Sequence, residues 1–266
     1  MPPSLGRRQL LALGGGALLM SACADDPAAP PRSKGASGAV HRYGDDPSQF
    51  GELSLPEGEA RGVVVVIHGG FWKAAYGLEL GRPLAADLVS RGWAAWNLEY
   101  RRVGNGGGVP ETLDDVAAGV DLLAELAPEL STVVTLGHSA GGHLGTWVAG
   151  RGGVTAVISQ AGVLDLRSAH EEGLGAGAVE AFLGHAPSAA DDPYDPLRQV
   201  PLAVPVWCVH APDDDTVPIS QSRDYVAAAE AAGGSATLVE VPGDHFTVID
   251  PASEAWQQTV EILEGI

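Results

Sequence analysis

Ser139 stands in Gly137-His138-Ser139-Ala140-Gly141, behind the apolar, β-branched run Thr132-Val133-Val134-Thr135-Leu136 and ahead of a helix start. A serine on a sharp strand-to-helix turn has its hydroxyl pushed clear of the backbone, and flanking glycines let strand and helix approach without a Cβ clash. The pattern alone is weak in a chain with 36 glycines. Its weight comes from context, since a nucleophilic serine needs a base, a carboxylate orienting that base, and N–H donors aimed at the developing oxyanion.

Each of these has a candidate, in a consistent order along the chain. His245, in Pro242-Gly243-Asp244-His245-Phe246, follows the last apolar strand pattern and precedes the last helix, which makes it the candidate base. The acid lies in Asp213-Asp214-Asp215, just past another strand pattern. Val217-Pro218 must close that loop, so the central Asp214 is expected to turn inward and its neighbours to be solvated. Upstream, Val66-Ile67-His68-Gly69-Gly70-Phe71-Trp72 places glycines directly after a buried strand. The backbone N–H groups of Gly70 and Phe71, with that of Ala140 after the nucleophile, are the expected oxyanion donors, and Trp72 the expected substrate contact.

The remaining histidines have plainer readings. His138 and His143 flank the serine and are expected to pack or hydrogen-bond near it; His41, His170 and His185 are placed in polar loops. His210 ends a strand as a structural histidine. None falls in a metal-binding spacing, so neither metal nor cofactor is expected. The loop at 104–108 lacks the Lys-Ser/Thr and the strand–helix frame of a phosphate cradle and reads as surface loop.

These residues must be positioned by alternating strands and helices. Apolar runs at 63–67, 93–98, 133–136, 154–158, 204–209 and 236–241 read as buried parallel strands. Helical patterns lie between them: one opened near Pro83, one with Leu113, Val116, Ala117, Val120 and Leu123 behind a Thr112-x-x-Asp115 capping box, and a last one opened by Asp250-Pro251. The segment 162–200 reads as a short lid over the carboxyl ends of the strands. The fold class is α/β, a mostly parallel sheet with helices on both faces.

His68-Gly69-Gly70-Phe71-Trp72, Gly137-His138-Ser139-Ala140-Gly141-Gly142, Asp214-Asp215-Thr216-Val217-Pro218 and His245 together resemble the α/β-hydrolase superfamily, in its esterase/lipase branch near kynurenine formamidase-like and BD-FAE-like hydrolases. The resemblance covers about residues 50–265. It implies an α/β-hydrolase fold, a Ser139–Asp214–His245 triad with D-x-x-V-P aligned on Asp214, and hydrolysis of a carboxylic ester through an acyl-enzyme. An arylformamidase-like amidase is the alternative within that branch, with a peptidase or a non-catalytic lipid-anchored binding protein further off.

At 266 residues one α/β domain accounts for the chain, and a net charge of −19 disfavours nucleic acid as a partner. Arg7-Arg8, the apolar run from Leu10 to Met20 and Ser21-Ala22-Cys23 read as a twin-arginine-like signal over 1–22 with a lipobox-like end. Cys23 is then the lipidated first mature residue, residues 23–40 a flexible tether and 41–266 the domain. The protein is expected to be exported and lipid-anchored to the outer face of a bacterial membrane, meeting a small-molecule ester or amide. Cys208, inside an apolar strand pattern, reads as a core thiol.

Overall fold

The computed structural model describes residues 38–266, apart from Pro128. The expected signal, Cys23 and nearly all of the tether lie outside the described residues. Among the described residues, the strands are β1 (Ala39–Arg42), β2 (Phe50–Ser54), β3 (Val63–Ile67), β4 (Ala94–Leu98), β5 (Val133–His138), β6 (Ala156–Gln160), β7 (Val206–His210) and β8 (Ala236–Glu240). They form one sheet in the order β1-β2-β4-β3-β5-β6-β7-β8. The pairs from β4 to β8 are parallel, whereas β1–β2 and β2–β4 are antiparallel.

Strands β3, β4 and β6 are buried along their whole length, which accounts for their unbroken apolar runs in place of a period-two alternation. Alternate residues feed two cores. Val63, Val65 and Ile67 pack with Val116 and Val120 of α2 (Glu111–Leu126), Leu144 and Trp147 of α3 (Ala140–Ala149), and Tyr225 of α6 (Ser220–Ala231). Val64 and Val66 face the other way, toward Leu84 and Leu88 of α1 (Arg82–Ser90) and Trp256, Val260 and Leu263 of α7 (Glu254–Glu264). Each large side chain so buried is worth roughly 1.5–3 kcal/mol.

Several boundaries differ from expectation for local reasons. The Thr112/Asp115 capping box does not form: Pro110 is the N-cap of α2, Thr112 Oγ1 donates to Arg101 O, and Asp115 takes a bidentate pair from Arg101. Both side chains serve tertiary contacts instead. The last helix is opened not by Asp250-Pro251 but by Ser253, whose hydroxyl accepts from Trp256 N at 2.9 Å. His41 lies in β1 and His170 in α4 (Leu166–Glu171), not in loops. β1 begins at Ala39, two residues inside the segment read as tether.

Between β6 and β7 the chain forms α4, α5 (Ala178–Leu183) and short 3-10 turns at Leu174–Ala176, Ala189–Tyr194 and Pro196–Arg198. The insert is packed down rather than hinged free: Phe182 stacks on Trp72 at 4.6 Å, and Phe182 O accepts Val109 N at 2.9 Å.

Candidate active site

Strands β3 and β5 are neighbours, yet the chain leaves β3 toward β4 on one side and β5 toward β6 on the other. The crevice at the carboxyl ends of β3 and β5 is therefore the point where strand order reverses, the place where open α/β sheets bind ligands. Ser139 sits there, between the end of β5 and the first residue of α3, at φ 55° and ψ −120°. A positive φ in a residue with a Cβ is strained, and the surroundings hold it in place. Ser139 N donates to Gln160 O at the end of β6. A Cβ on Gly137 would lie 2.0 Å from Gly141 O, and one on Gly141 would lie 2.0 Å from Ile67 O, so strand, helix and the loop after β3 meet at a distance only glycine allows.

His245 follows β8, and its Nδ1 donates to Asp214 Oδ2 at 2.7 Å. Asp214 follows β7; its Oδ1 accepts Thr216 N and Val217 N at 2.9 and 2.8 Å, which fixes the carboxylate's direction. Burial alone would raise the Asp214 pKa, but hydrogen bonds from His210 and His245 and the Val217 amide outweigh it and hold the carboxyl well below its usual range. Asp213 and Asp215 are exposed. His210 is fully buried: Nδ1 accepts the Ser222 hydroxyl at 2.7 Å, while Nε2 donates to Val217 O at 2.9 Å and lies 3.4 Å from Asp214 Oδ2. The expected structural histidine thus backs Asp214. No hydrogen bond within the described residues engages Ser139 Oγ or His245 Nε2, which leaves both atoms free for a reacting group. The ring of His138, next to the serine, lies 4.6 Å from that of His245.

The loop after β3 turns through Gly70 (φ 111°), Phe71 (φ 51°) and Trp72 (φ 55°). Among the described residues, the N–H groups of Gly70, Phe71 and Ala140 donate to no other protein group. The position of a Cβ on Gly69 would be 2.9 Å from Ser139 Cβ, so this loop lies directly on the serine. Its carbonyls are tied away from the crevice. Tyr100 Oη donates to His68 O at 2.7 Å, and His68 Nδ1 donates to Gly69 O at 2.8 Å. The His68 ring stacks on Tyr100 at 4.4 Å, and its Nε2 lies 3.1 Å from Glu99 Oε1. Two acceptors facing the ring favour a second proton, but burial and the Arg102 guanidinium oppose it and push the pKa down to about 3. Because Arg102 already pairs with Glu99, the neutral Nδ1–H ring is the form that fits.

Trp72 is wholly buried, stacked on Phe182 and edge-on to His143 at 5.3 Å, so its ring supports the strained turn from within the core instead of presenting a face to the crevice. His143 Nε2 donates to Tyr194 O and joins α3 to the insert. Cys208 is a buried free thiol, pushed up to about 12 by burial. Sequence reasoning missed the Glu99–Tyr100–Arg102 support of the loop and the anchoring role of His138 and Gln160. Their partners are 31 to 107 residues away in sequence, and no local pattern announces them. Among the described residues, no group of three His, Cys, Asp or Glu side chains is placed to hold a metal ion.

Comparison with known proteins agrees with this architecture. No curated protein matches the sequence significantly. Among solved structures, a truncated carbohydrate esterase from gut microbiota superposes with a TM-score of 0.75 at 20% identity, covering 86% of this chain and 95% of that one. Esterase 2 of Thermogutta terrifontis, phosphonylated by sarin, gives a TM-score of 0.70 at 23% identity over 88% and 94% of the two chains. An acetyl ester-xyloside bifunctional hydrolase from Caldicellulosiruptor lactoaceticus gives 0.69 at 20% identity over 87% and 96%. At such identities the likeness establishes the α/β-hydrolase fold. The family model BD-FAE matches residues 52–228, a span running from β2 through the serine turn and Asp214 into α6, and the chain belongs to the BD-FAE family of the α/β-hydrolase superfamily.

Proposed function

We propose that this protein is a serine esterase that cleaves a carboxylic ester through an acyl-enzyme, with Ser139 as nucleophile, His245 as general base and acid, and Asp214 as its orienting carboxylate. The observation that carries the reading is the 2.7 Å Asp214–His245 hydrogen bond at the same crevice as a strained serine and three free backbone N–H groups. With Nδ1–H given to Asp214, His245 Nε2 holds the lone pair that accepts the Ser139 proton as Oγ attacks the carbonyl carbon. The carbonyl oxygen becomes an oxyanion facing the N–H groups of Ala140 and of Gly70 or Phe71, at the start of α3, whose dipole also favours negative charge. The imidazolium returns its proton to the departing alkoxide, and water, deprotonated by the same nitrogen, releases the acid.

The solved structures named above support ester over amide, since they are an acetyl ester-xyloside bifunctional hydrolase, a carbohydrate esterase and an esterase phosphonylated by sarin. A fluorophosphonate probe should label the wild-type protein and not Ser139→Ala. A p-nitrophenyl ester series run beside N-formylkynurenine should then give turnover of the short esters. Labelling without ester turnover, or faster turnover of the formamide, would move the protein to the amidase reading. The export and lipid anchor expected at Cys23 belong to the same proposal and place the substrate outside the cytoplasm.

A further inference from the structure

His138 and Gln160 are register partners at the carboxyl ends of β5 and β6. Each donates to the loop that carries His245: His138 Nε2 to His245 O at 2.8 Å, Gln160 Nε2 to Val248 O, with Thr259 Oγ1 a further partner of that amide at 3.3 Å. These donations settle the other end of each side chain. With its proton on Nε2, His138 keeps a lone pair on Nδ1; with its amide nitrogen engaged, Gln160 presents Oε1. Both atoms are buried and have no partner within the protein. Two acceptors cannot bond each other. Rotating the Gln160 amide would offer a donor to His138 but set Oε1 against Val248 O, so the rotated form is excluded.

Both side chains line one small cavity of about 10 Å³, with Gly69, Gly81, Leu136 and Ile249 among its other walls. That is room for a single water. A water has two hydrogens, one for Nδ1 and one for Oε1, and would satisfy both acceptors, which are costly to leave bare in a buried site. We propose that His138 and Gln160, joined by one buried water in this cavity, form a clamp that positions His245 by holding the carbonyls at both ends of its turn. Burial, then the neighbouring His245, lowers the His138 pKa to about 3, so the neutral tautomer on which the clamp depends persists at ordinary pH.

The inference rests on His245 being the base, and its test separates the two. The variants are His138→Phe, which keeps a ring and loses both nitrogens, Gln160→Met, which keeps length and loses the amide, and the double variant, all in the full chain. Holding geometry without touching substrate should show in kcat, with a loss of about ten- to hundredfold and KM nearly unchanged. Because the two act as one unit, the double variant should be little worse than the worse single. His138→Gln, which retains a donor at similar reach, should recover most of the rate. The downfield His245 Nδ1 proton resonance, identified by its loss in Asp214→Asn, should broaden in the single variants. Near-wild-type kcat in both singles, multiplying losses in the double, or a change confined to KM would each overturn the clamp. Should the variants not fold, a high-resolution crystal structure of the wild-type protein decides: density for one water between Nδ1 and Oε1 supports it, a dry cavity refutes it. A wild-type protein that neither turns over ester nor takes the fluorophosphonate would instead sink the esterase reading, while the resonance would still report on the clamp.

Discussion

Asp213, Asp214 and Asp215 stand side by side after β7, and only Asp214 is buried. Its two oxygens have separate tasks, Oδ1 on the Thr216 and Val217 amides and Oδ2 on His245. Asp214→Asn keeps the shape but presents an amide to His245 Nδ1, which loses the productive tautomer and the stabilisation of the imidazolium. A fall of about 10³ to 10⁴ in kcat is expected. Asp213→Asn and Asp215→Asn touch only solvated groups and should each cost less than about tenfold by the same measure. Steady-state kinetics of the three variants checks this, and a larger loss at either neighbour moves the acid. Ser139→Ala should remove turnover by about 10⁴ or more with Tm nearly unchanged. Ser139 is 1% exposed, not open to bulk solvent as a turn serine would suggest, but alanine carries the same Cβ at the same φ and adds no strain. The gathering of Ser139, Asp214 and His245 at one end of the sheet was legible because each directly follows a strand pattern. His138 and Gln160 were not, because their work is done on backbone carbonyls 107 and 88 residues away.

The strands were legible where they are buried on both faces, since β3, β4 and β6 are apolar runs bounded by turn residues. β1 and β2 were not, because their partly exposed residues carry neither a continuous run nor a clear alternation. The insert holds a cost of its own. Asp195 is 2% exposed, with Oδ2 3.8 Å from Arg198 Nε, beyond hydrogen-bond reach. Burial, then the Asp165 carboxylate, raises its pKa from 3.8 to about 6. A raised carboxyl pKa means the fold favours the protonated group: the stability is present below the unfolded value near 3.8 and is lost as pH rises through about 6. Asp195→Asn keeps Oδ1 as acceptor for Leu197 N and removes the buried charge. The variant should gain on the order of 1–3 kcal/mol at pH 8 and almost nothing at pH 4, read as the difference in Tm at the two values. An equal shift at both would show that packing, not ionisation, is responsible.

At the scale of the whole molecule, surplus acidity and the amino-terminal segment bear on where the chemistry takes place. The net charge is −19, and removing residues 1–22 would take Arg7 and Arg8 with it, leaving a more acidic domain. Such a domain would be repelled by an anionic lipid surface. No helix among the described residues is long and apolar enough to cross a membrane. Under the proposed lipid anchor, attachment therefore depends on the acyl chains at Cys23, each buried CH₂ contributing about 0.8 kcal/mol against the unfavourable charge. Cys23→Ser, expressed in a bacterium with its own leader, should leave the membrane fraction for the soluble exported fraction, while kcat and KM on a soluble ester stay as in the wild type. Among the described residues, β1 pairs with β2 at the far edge of the sheet and not with β3 or β5. Fractionation with detergent partitioning measures the first outcome and ester kinetics the second; a wild-type protein recovered without detergent would remove the anchor and leave the catalytic proposal untouched.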